Sequence, residues 1–280
     1  MTRKLGTSTA AVAAVASLVA PAAHAEWALN MTRGVTKLSE EIYSLHMGIL
    51  WGCTLIGVFV FGWMIVSMVR YRKSQGAVPD TAMVHNTKAE VIWTVIPVVI
   101  LVAFAVPAAK TLVEIEDTTN SQLNIKITGY QWKWQYEYLD SGVSYFSTLA
   151  RDSDAARQLE SGVDVNQVQN YLLAVDNPLV VPTGTKVRVL ITAQDVIHAW
   201  WVPAFAVKKD AIPGFVNEAW FEIKADKVGV YRGQCAELCG RDHAFMPVVV
   251  EAKSPEDFKA WLESRKAQQQ TSLPRPAAAG

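Results

Sequence analysis

Cys235, Cys239, His243 and Met246 fall within the stretch GQCAELCGRDHAFMP, at successive spacings of four, four and three residues. Two thiols, an imidazole and a thioether form a donor set that suits copper and, less well, zinc. On a helix these spacings would line one face. Gly233, Gly240 and Pro247 argue instead for a loop between strands, which can wrap donors around an ion from several sides. A further strong donor must come from elsewhere. Of the five histidines, His24 lies in an N-terminal apolar block, His46 at the edge of a second block and His85 in a basic loop, so His198 and His243 remain. His198 sits in the run RVLITAQDVIHAWWVPAF, flanked by aromatics. Two thiolates could bridge two copper ions, each also holding one histidine, with Met246 and the backbone carbonyl of Glu237 completing the shells. The same residue types also allow a Cys235–Cys239 disulfide, a structural zinc site or a pair of inert buried thiols. Cys53 differs, because it lies inside an apolar stretch and reads as a small packing residue.

The elements that must position these donors divide the chain in two. Three apolar blocks occupy the first 112 residues, and alternating patterns follow. The first block, MTRKLGTSTAAVAAVASLVAPAAHAEW, has Arg3 and Lys4 in front, an Ala/Val/Leu middle and Ala23-His24-Ala25 before Glu26. That is the form of a secretory signal, expected over 1–25 and cleaved after Ala25. The blocks Met47–Val69 and Val91–Ala109 carry no charge and are close to the ~20 residues that cross a hydrocarbon core. Neither shows the polar stripe of a surface helix. They predict two transmembrane helices, about 42–70 and 90–112, within an N-terminal segment and hairpin spanning 26–112. Arg70, Arg72, Lys73 and Lys88 crowd the ends of the intervening loop, which marks it as cytoplasmic. The N-terminus and everything after Lys110 are then expected outside, in the periplasm. Twenty-six basic residues balance 26 acidic ones, so no global field points to nucleic acid.

From Gln122 the pattern becomes that of strands. Leu123, Ile125 and Ile127 alternate with polar residues, as do Val187, Val189 and Ile191. AWFEIKA (219–225), GVYRGQC (229–235) and PVVVEA (247–252) are further short strands, separated by Gly/Pro turns. The pattern predicts an all-β external domain over 113–266. Asp152–Gln169 is polar and lacks alternation, which suggests a surface excursion with a short helix. Ser254-Pro255-Glu256-Asp257 starts a terminal helix running to about Lys266, and the tail 267–280 reads as disordered.

Taken together and in order, the two-helix hairpin, GYQWKWQYEY, DVIHAWWVPAF, KKDAIPGF and GQCAELCGRDHAFMP resemble subunit II of haem–copper cytochrome c oxidases in its bacterial aa3-type form. The resemblance covers roughly residues 40 to 263. It implies a cupredoxin-like Greek-key β-barrel after the hairpin and a two-pass protein of the bacterial inner membrane. It also decides among the readings of the loop, because the family's dinuclear copper centre, CuA, matches His198, Cys235, the Glu237 carbonyl, Cys239, His243 and Met246. The implied function is electron transfer from cytochrome c, through CuA, to haem a in subunit I of a proton-pumping oxidase. Oxygen reduction at haem and CuB belongs to that partner, and subunit III and membrane lipid are further implied partners.

Other residues acquire roles through the same resemblance. Trp132 is the aromatic that receives the electron, although Trp132, Trp134, Tyr136 and Tyr138 also read as one packed face of a strand. Glu137, Asp140 and Asp195 match acids that attract a lysine-rich cytochrome c. The Glu237 side chain matches a ligand to magnesium or manganese shared with subunit I. Glu90, near the cytoplasmic edge of the second helix, matches the mouth of a proton-uptake path, and equally suits a helix N-terminus. Phe215 stands where many relatives carry arginine, so an ion pair made there in relatives is lost. The 141–175 insertion has no clear counterpart in the shortest relatives. A quinol oxidase subunit would lack the ligand set, a thioredoxin-like copper-delivery protein would carry one anchor, and nitrous oxide reductase would lack the hairpin.

Overall fold

The computed structural model describes residues 30–78, 81–82 and 85–272. The expected signal, 1–25, and residues 273–280 of the expected tail lie outside these. Two long helices open the described chain, α1 (Lys37–Arg70) and α2 (Thr87–Glu116). At ~1.5 Å per residue they are roughly 51 and 45 Å long, more than a ~30 Å hydrocarbon core requires. Their apolar stretches are not buried in the protein, and Trp51, Leu55, Phe59, Trp63, Val98 and Leu101 are all exposed. Water would oppose that much bare apolar surface, and lipid accepts it.

Both helices run beyond the apolar blocks. α1 starts at Lys37 rather than near 42, because Thr36 and Ser39 form a reciprocal cap. The Thr36 Oγ1 accepts from Ser39 N and the Ser39 Oγ from Thr36 N, each at 3.0 Å. Such a cap contributes about 1 kcal/mol. α2 starts at Thr87, where Asn86 accepts from Ala89 N. It continues past 112 because its last turn is tied down: Trp220 Nε1 donates to the Glu114 carbonyl (3.0 Å), and Lys37 Nζ lies 2.8 Å from the Glu114 carboxylate.

The rest is two five-stranded sheets packed face to face. The strands are β1 (Leu123–Tyr130), β2 (Lys133–Tyr138), β3 (Val143–Ser147), β4 (Leu179–Pro182), β5 (Lys186–Ala193), β6 (His198–Val202), β7 (Val207–Ala211), β8 (Asn217–Glu222), β9 (Gly229–Cys235) and β10 (Pro247–Lys253). One sheet has the order β3-β2-β1-β5-β8 and the other β4-β10-β9-β6-β7. β1/β5 and β4/β10 pair parallel, and the remaining neighbours pair antiparallel. The chain crosses repeatedly between sheets, as in the expected cupredoxin-like Greek key. Alternation decides the core. Ile125 and Ile127 of β1, Trp134, Tyr136 and Tyr138 of β2, Val187, Val189 and Ile191 of β5, and Trp200 of β6 are all buried between the sheets.

Between β3 and β4 the chain makes the expected excursion, with a short helix α3 (Arg151–Ala156) and a 3-10 turn at Val165–Gln167. The terminal helix α4 (Pro255–Ser272) outruns its expected end at Lys266, and the first residues of the expected disordered tail are helical. The reason is a contact that local patterns do not report. Gln269 reaches the β3 edge, donating to the Gly142 carbonyl (3.1 Å) and accepting from Ser144 N (3.2 Å).

Candidate metal centre

β6 begins at His198 and β9 ends at Cys235. The two strands are antiparallel neighbours, with Trp200 opposite Cys235, so the start of one lies beside the end of the other. After Cys235 the chain leaves the sheet, forms a loop and a 3-10 turn (His243–Phe245), and re-enters at Pro247. Register and loop together bring distant donors to one place. His198, Cys235, Cys239 and Met246 are buried, and His243 is partly exposed.

The two sulfurs lie at the middle, with Cys235 Sγ 3.9 Å from Cys239 Sγ. Each has a histidine beside it: His198 Nδ1 is 4.0 Å from Cys235 Sγ, and His243 Nδ1 is 3.5 Å from Cys239 Sγ. The Glu237 carbonyl is 3.3 Å from Cys235 Sγ, and Met246 Sδ is 3.4 Å from Cys239 Sγ. Both thiols are free. At their separation they are far from the ~2.05 Å of a disulfide. Six converging donors also exceed the four that close a structural zinc site.

Electrostatics favour a cation here. Burial pushes the Cys235 thiol up, but hydrogen bonds with His198 and the nearby backbone outweigh that and leave it lowered. Burial, then the charge of Cys235, push Cys239 up to about 12. Two adjacent buried thiolates therefore do not form without a compensating charge. Bound metal ions would supply it, and a set of two thiols, two imidazoles, a thioether and a carbonyl fits copper.

His198 is oriented from behind. Its Nε2 lies 2.9 Å from Asp195 Oδ1, and an anionic carboxylate can only accept, so Nε2 donates and Nδ1 turns its lone pair to the sulfurs. Burial disfavours the His198 charge, yet the bonds to Cys235 and Asp195 prevail and raise its pKa. Burial would raise the Asp195 carboxyl, but hydrogen bonds from His198, Val196 N and Gln131 N hold it lowered. A β-carbon on Gly129 of β1 would come 2.8 Å from His198 Cδ2, so that position needs glycine to leave the ring its space.

Trp132 is half-buried against the loop, its Nε1 donating to the Cys239 carbonyl at 3.2 Å. Gln131 Nε2 donates to the same oxygen at 2.9 Å, a contact that residue spacing does not suggest. The Glu237 carboxylate is exposed. Of the three expected docking acids, Asp195 lies nearest Trp132, since it accepts from Gln131 N at 2.7 Å. Glu137 is ion-paired with Lys126 (2.9 Å) toward the far end of β2, and Asp140 lies beyond it, accepting from Asn124 N at 3.3 Å. Glu90 lies in the first turn of α2, accepts from Asn86 N (3.1 Å) and is 3.5 Å from His85 Nδ1. The structure thus gathers the six expected ligands and Trp132, and leaves Glu90, Glu137 and Asp140 elsewhere. Phe215 is exposed.

The contacts of Asp195 give it an orienting task. Asp195→Asn should weaken copper binding about 10- to 100-fold, the usual loss when a ligand's outer partner is changed. Competition with a chelator measures this. An unchanged affinity would show that Asp195 does not orient His198 for the metal.

Residues 24–111 match the family model for the transmembrane domain of cytochrome c oxidase subunit II, and residues 123–253 match the one for its periplasmic domain. A probable cytochrome c oxidase subunit 2 of Rickettsia bellii is 39% identical over 240 residues, covering 85% of this chain and 84% of the relative. The mitochondrial cytochrome c oxidase subunit 2 of Glycine max is 39% identical over 249 residues, covering 88% of this chain and 61% of that one. Among solved structures, the periplasmic domain of subunit II of cytochrome oxidase from Bradyrhizobium japonicum is 43% identical and covers 54% of this chain and 98% of its own, with a TM-score of 0.47. Two family models met in sequence order, and relatives matched over most of both lengths, lead to one conclusion: the chain belongs to the cytochrome c oxidase subunit II family.

Proposed function

We propose that this chain is the electron-transfer subunit of a proton-pumping terminal oxidase in the bacterial inner membrane. In this reading it accepts electrons from cytochrome c at a dinuclear CuA centre and delivers them to haem a in subunit I, where oxygen is reduced. The observation that carries the proposal is the convergence of His198, Cys235, the Glu237 carbonyl, Cys239, His243 and Met246 around two sulfurs 3.9 Å apart. When bound, the copper pair supplies a one-electron relay with its positions filled by protein.

The chain's own residues do the rest. Asp195 holds the His198 ring in one tautomer, and β6 and β9 hold His198 and Cys235 on a rigid frame. A fixed frame keeps the geometry change on electron transfer small. Trp132 offers a partly exposed ring one hydrogen bond from the Cys239 backbone, a short step from the donor to the sulfurs. Glu137 and Asp140, farther from the copper loop than Asp195, would attract a basic donor, and that attraction should fade with salt. The exposed Glu237 carboxylate is offered to the partner, where a hard oxygen donor suits a magnesium or manganese ion. Glu90, at the opposite end of the hairpin from the copper loop, would collect protons for subunit I. The basic residues Arg70, Arg72, Lys73 and Lys88 favour a cytoplasmic loop, with the N-terminus and the β domain in the periplasm.

The test uses the full chain in detergent, loaded with copper. Absorption and EPR should report a purple species with one unpaired electron shared equally over two coppers. Trp132→Ala should then slow reduction by cytochrome c while leaving that spectrum unchanged. A colourless protein with two fewer titratable thiols would overturn the reading in favour of a disulfide. A bleached spectrum in the Trp132 variant would make that residue structural.

A further inference from the structure

The excursion between β3 and β4 has no part in the function proposed above. Its ends are pinned together. Thr148 N and Oγ1 donate to the Asp176 carboxylate at 2.7 and 2.9 Å, and Leu149 bridges to Val175. Its interior is tied as well, since the fully buried Ser153 accepts from Leu172 N through its Oγ (3.2 Å). An ordered, self-tied excursion can hold something else still.

What it holds is the metal loop. α3 is capped at its C-terminal end by Arg157, whose side chain is only 22% exposed. Its Nε donates to Asp154 Oδ1 at 2.7 Å, which fixes the guanidinium plane. Nη1 then lies 3.7 Å from Asp242 Oδ1, and the guanidinium carbon sits 4.3 Å from the centroid of the Phe245 ring. Asp242 and Phe245 are the two ends of the single turn that carries His243, and Phe245 immediately precedes Met246. One cation thus grips both ends of the segment that presents two of the six donors. A second tie runs from β9, where Arg232 Nη1 donates to the Leu173 carbonyl.

The turn needs such help. It has no side-chain cap hydrogen bond, and it is only one turn long, with Phe245 N donating to the Asp242 carbonyl at 2.9 Å. Short irregular segments of this kind sit at the low-stability end of a fold. A guanidinium suits the task because its fork meets a carboxylate while its face stacks on an aromatic ring, and a lysine offers charge without the plane.

We propose that the 148–176 excursion is a clamp on the metal loop, and that Arg157 is the positioning residue through which it seats His243 and Met246. This rests on the metal-centre reading above. The test compares the full wild-type chain in detergent with Arg157→Gln and Arg157→Lys. Amide hydrogen exchange over 242–246 is measured in copper-free protein, and copper release to a chelator and the EPR spectrum in loaded protein. Arg157→Gln should speed exchange of these amides about tenfold, the loss expected for one cation–π contact plus one ion pair. Copper release should quicken by a similar factor, and the hyperfine pattern should change. Arg157→Lys should recover only part of each effect.

Unchanged exchange in Arg157→Gln overturns the clamp. So does equal loosening of the whole β domain, which would make Arg157 a general stabiliser. The exchange measurement needs no metal. Failure of the wild-type chain to bind a copper pair would sink the metal reading and leave the exchange result to decide the clamp.

Discussion

Cys239→Ser is expected to abolish the shared-electron signal of the copper-loaded chain. The loss in metal affinity should exceed the ~10–100-fold that changes to outer partners cost. Cys239 Sγ sits centrally, 3.9 Å from Cys235 Sγ, 3.5 Å from His243 Nδ1 and 3.4 Å from Met246 Sδ. A serine hydroxyl in that place stays protonated and is a harder donor, so it cannot bridge two soft ions. Burial and the neighbouring charge already push the Cys239 thiol up to about 12, so even sulfur needs the cations to ionise. The variant should still fold, because the side chain is nearly isosteric. Copper stoichiometry and EPR check the result, and a retained two-copper signal would mean that Cys239 is not a bridge.

Gly233→Ala is expected to cost several kcal/mol, at the severe end for single substitutions. A β-carbon at 233 would lie 1.8 Å from the Trp201 carbonyl oxygen, 2.9 Å from its carbon and 3.0 Å from Val202 Cα. All three are backbone atoms of β6, so no side-chain rotation relieves the overlap. The β6–β9 pair must separate, and that pair brings His198 beside Cys235. Thermal unfolding should therefore show a large fall in Tm, with copper binding lost in any folded fraction. An unchanged Tm would show that β9 can shift without cost. Gly129→Ala is a narrower case, because its β-carbon meets the His198 ring rather than backbone.

Local patterns carry far in this chain. The absence of charge over Met47–Val69 and Val91–Ala109 placed both long helices, since a span of that length without a polar stripe has only lipid to face. Alternation placed β1 and β5, because a strand turns every second side chain to the core, and Gly/Pro punctuation set off β9 and β10. Cys235, Cys239, His243 and Met246 were legible as donors because they share one loop, and His198 because few histidines compete with it.

What only the tertiary structure decided is whatever depends on contact between distant segments. Asp195 reads in the sequence as a docking acid, and packing of the β1–β2 turn brings Gln131 N, 64 residues away, to its carboxylate. Arg157 reads as one charge in a polar excursion, and packing lays it over Phe245 and beside Asp242, some 85 residues on. Helix α4 outruns its expected end because Gln269 finds the β3 edge. Donor type and local periodicity are properties of residues and their near neighbours, and the sequence determines them directly. Which donor faces which sulfur is settled by strand register and packing, and these exist only once the two sheets have closed on each other.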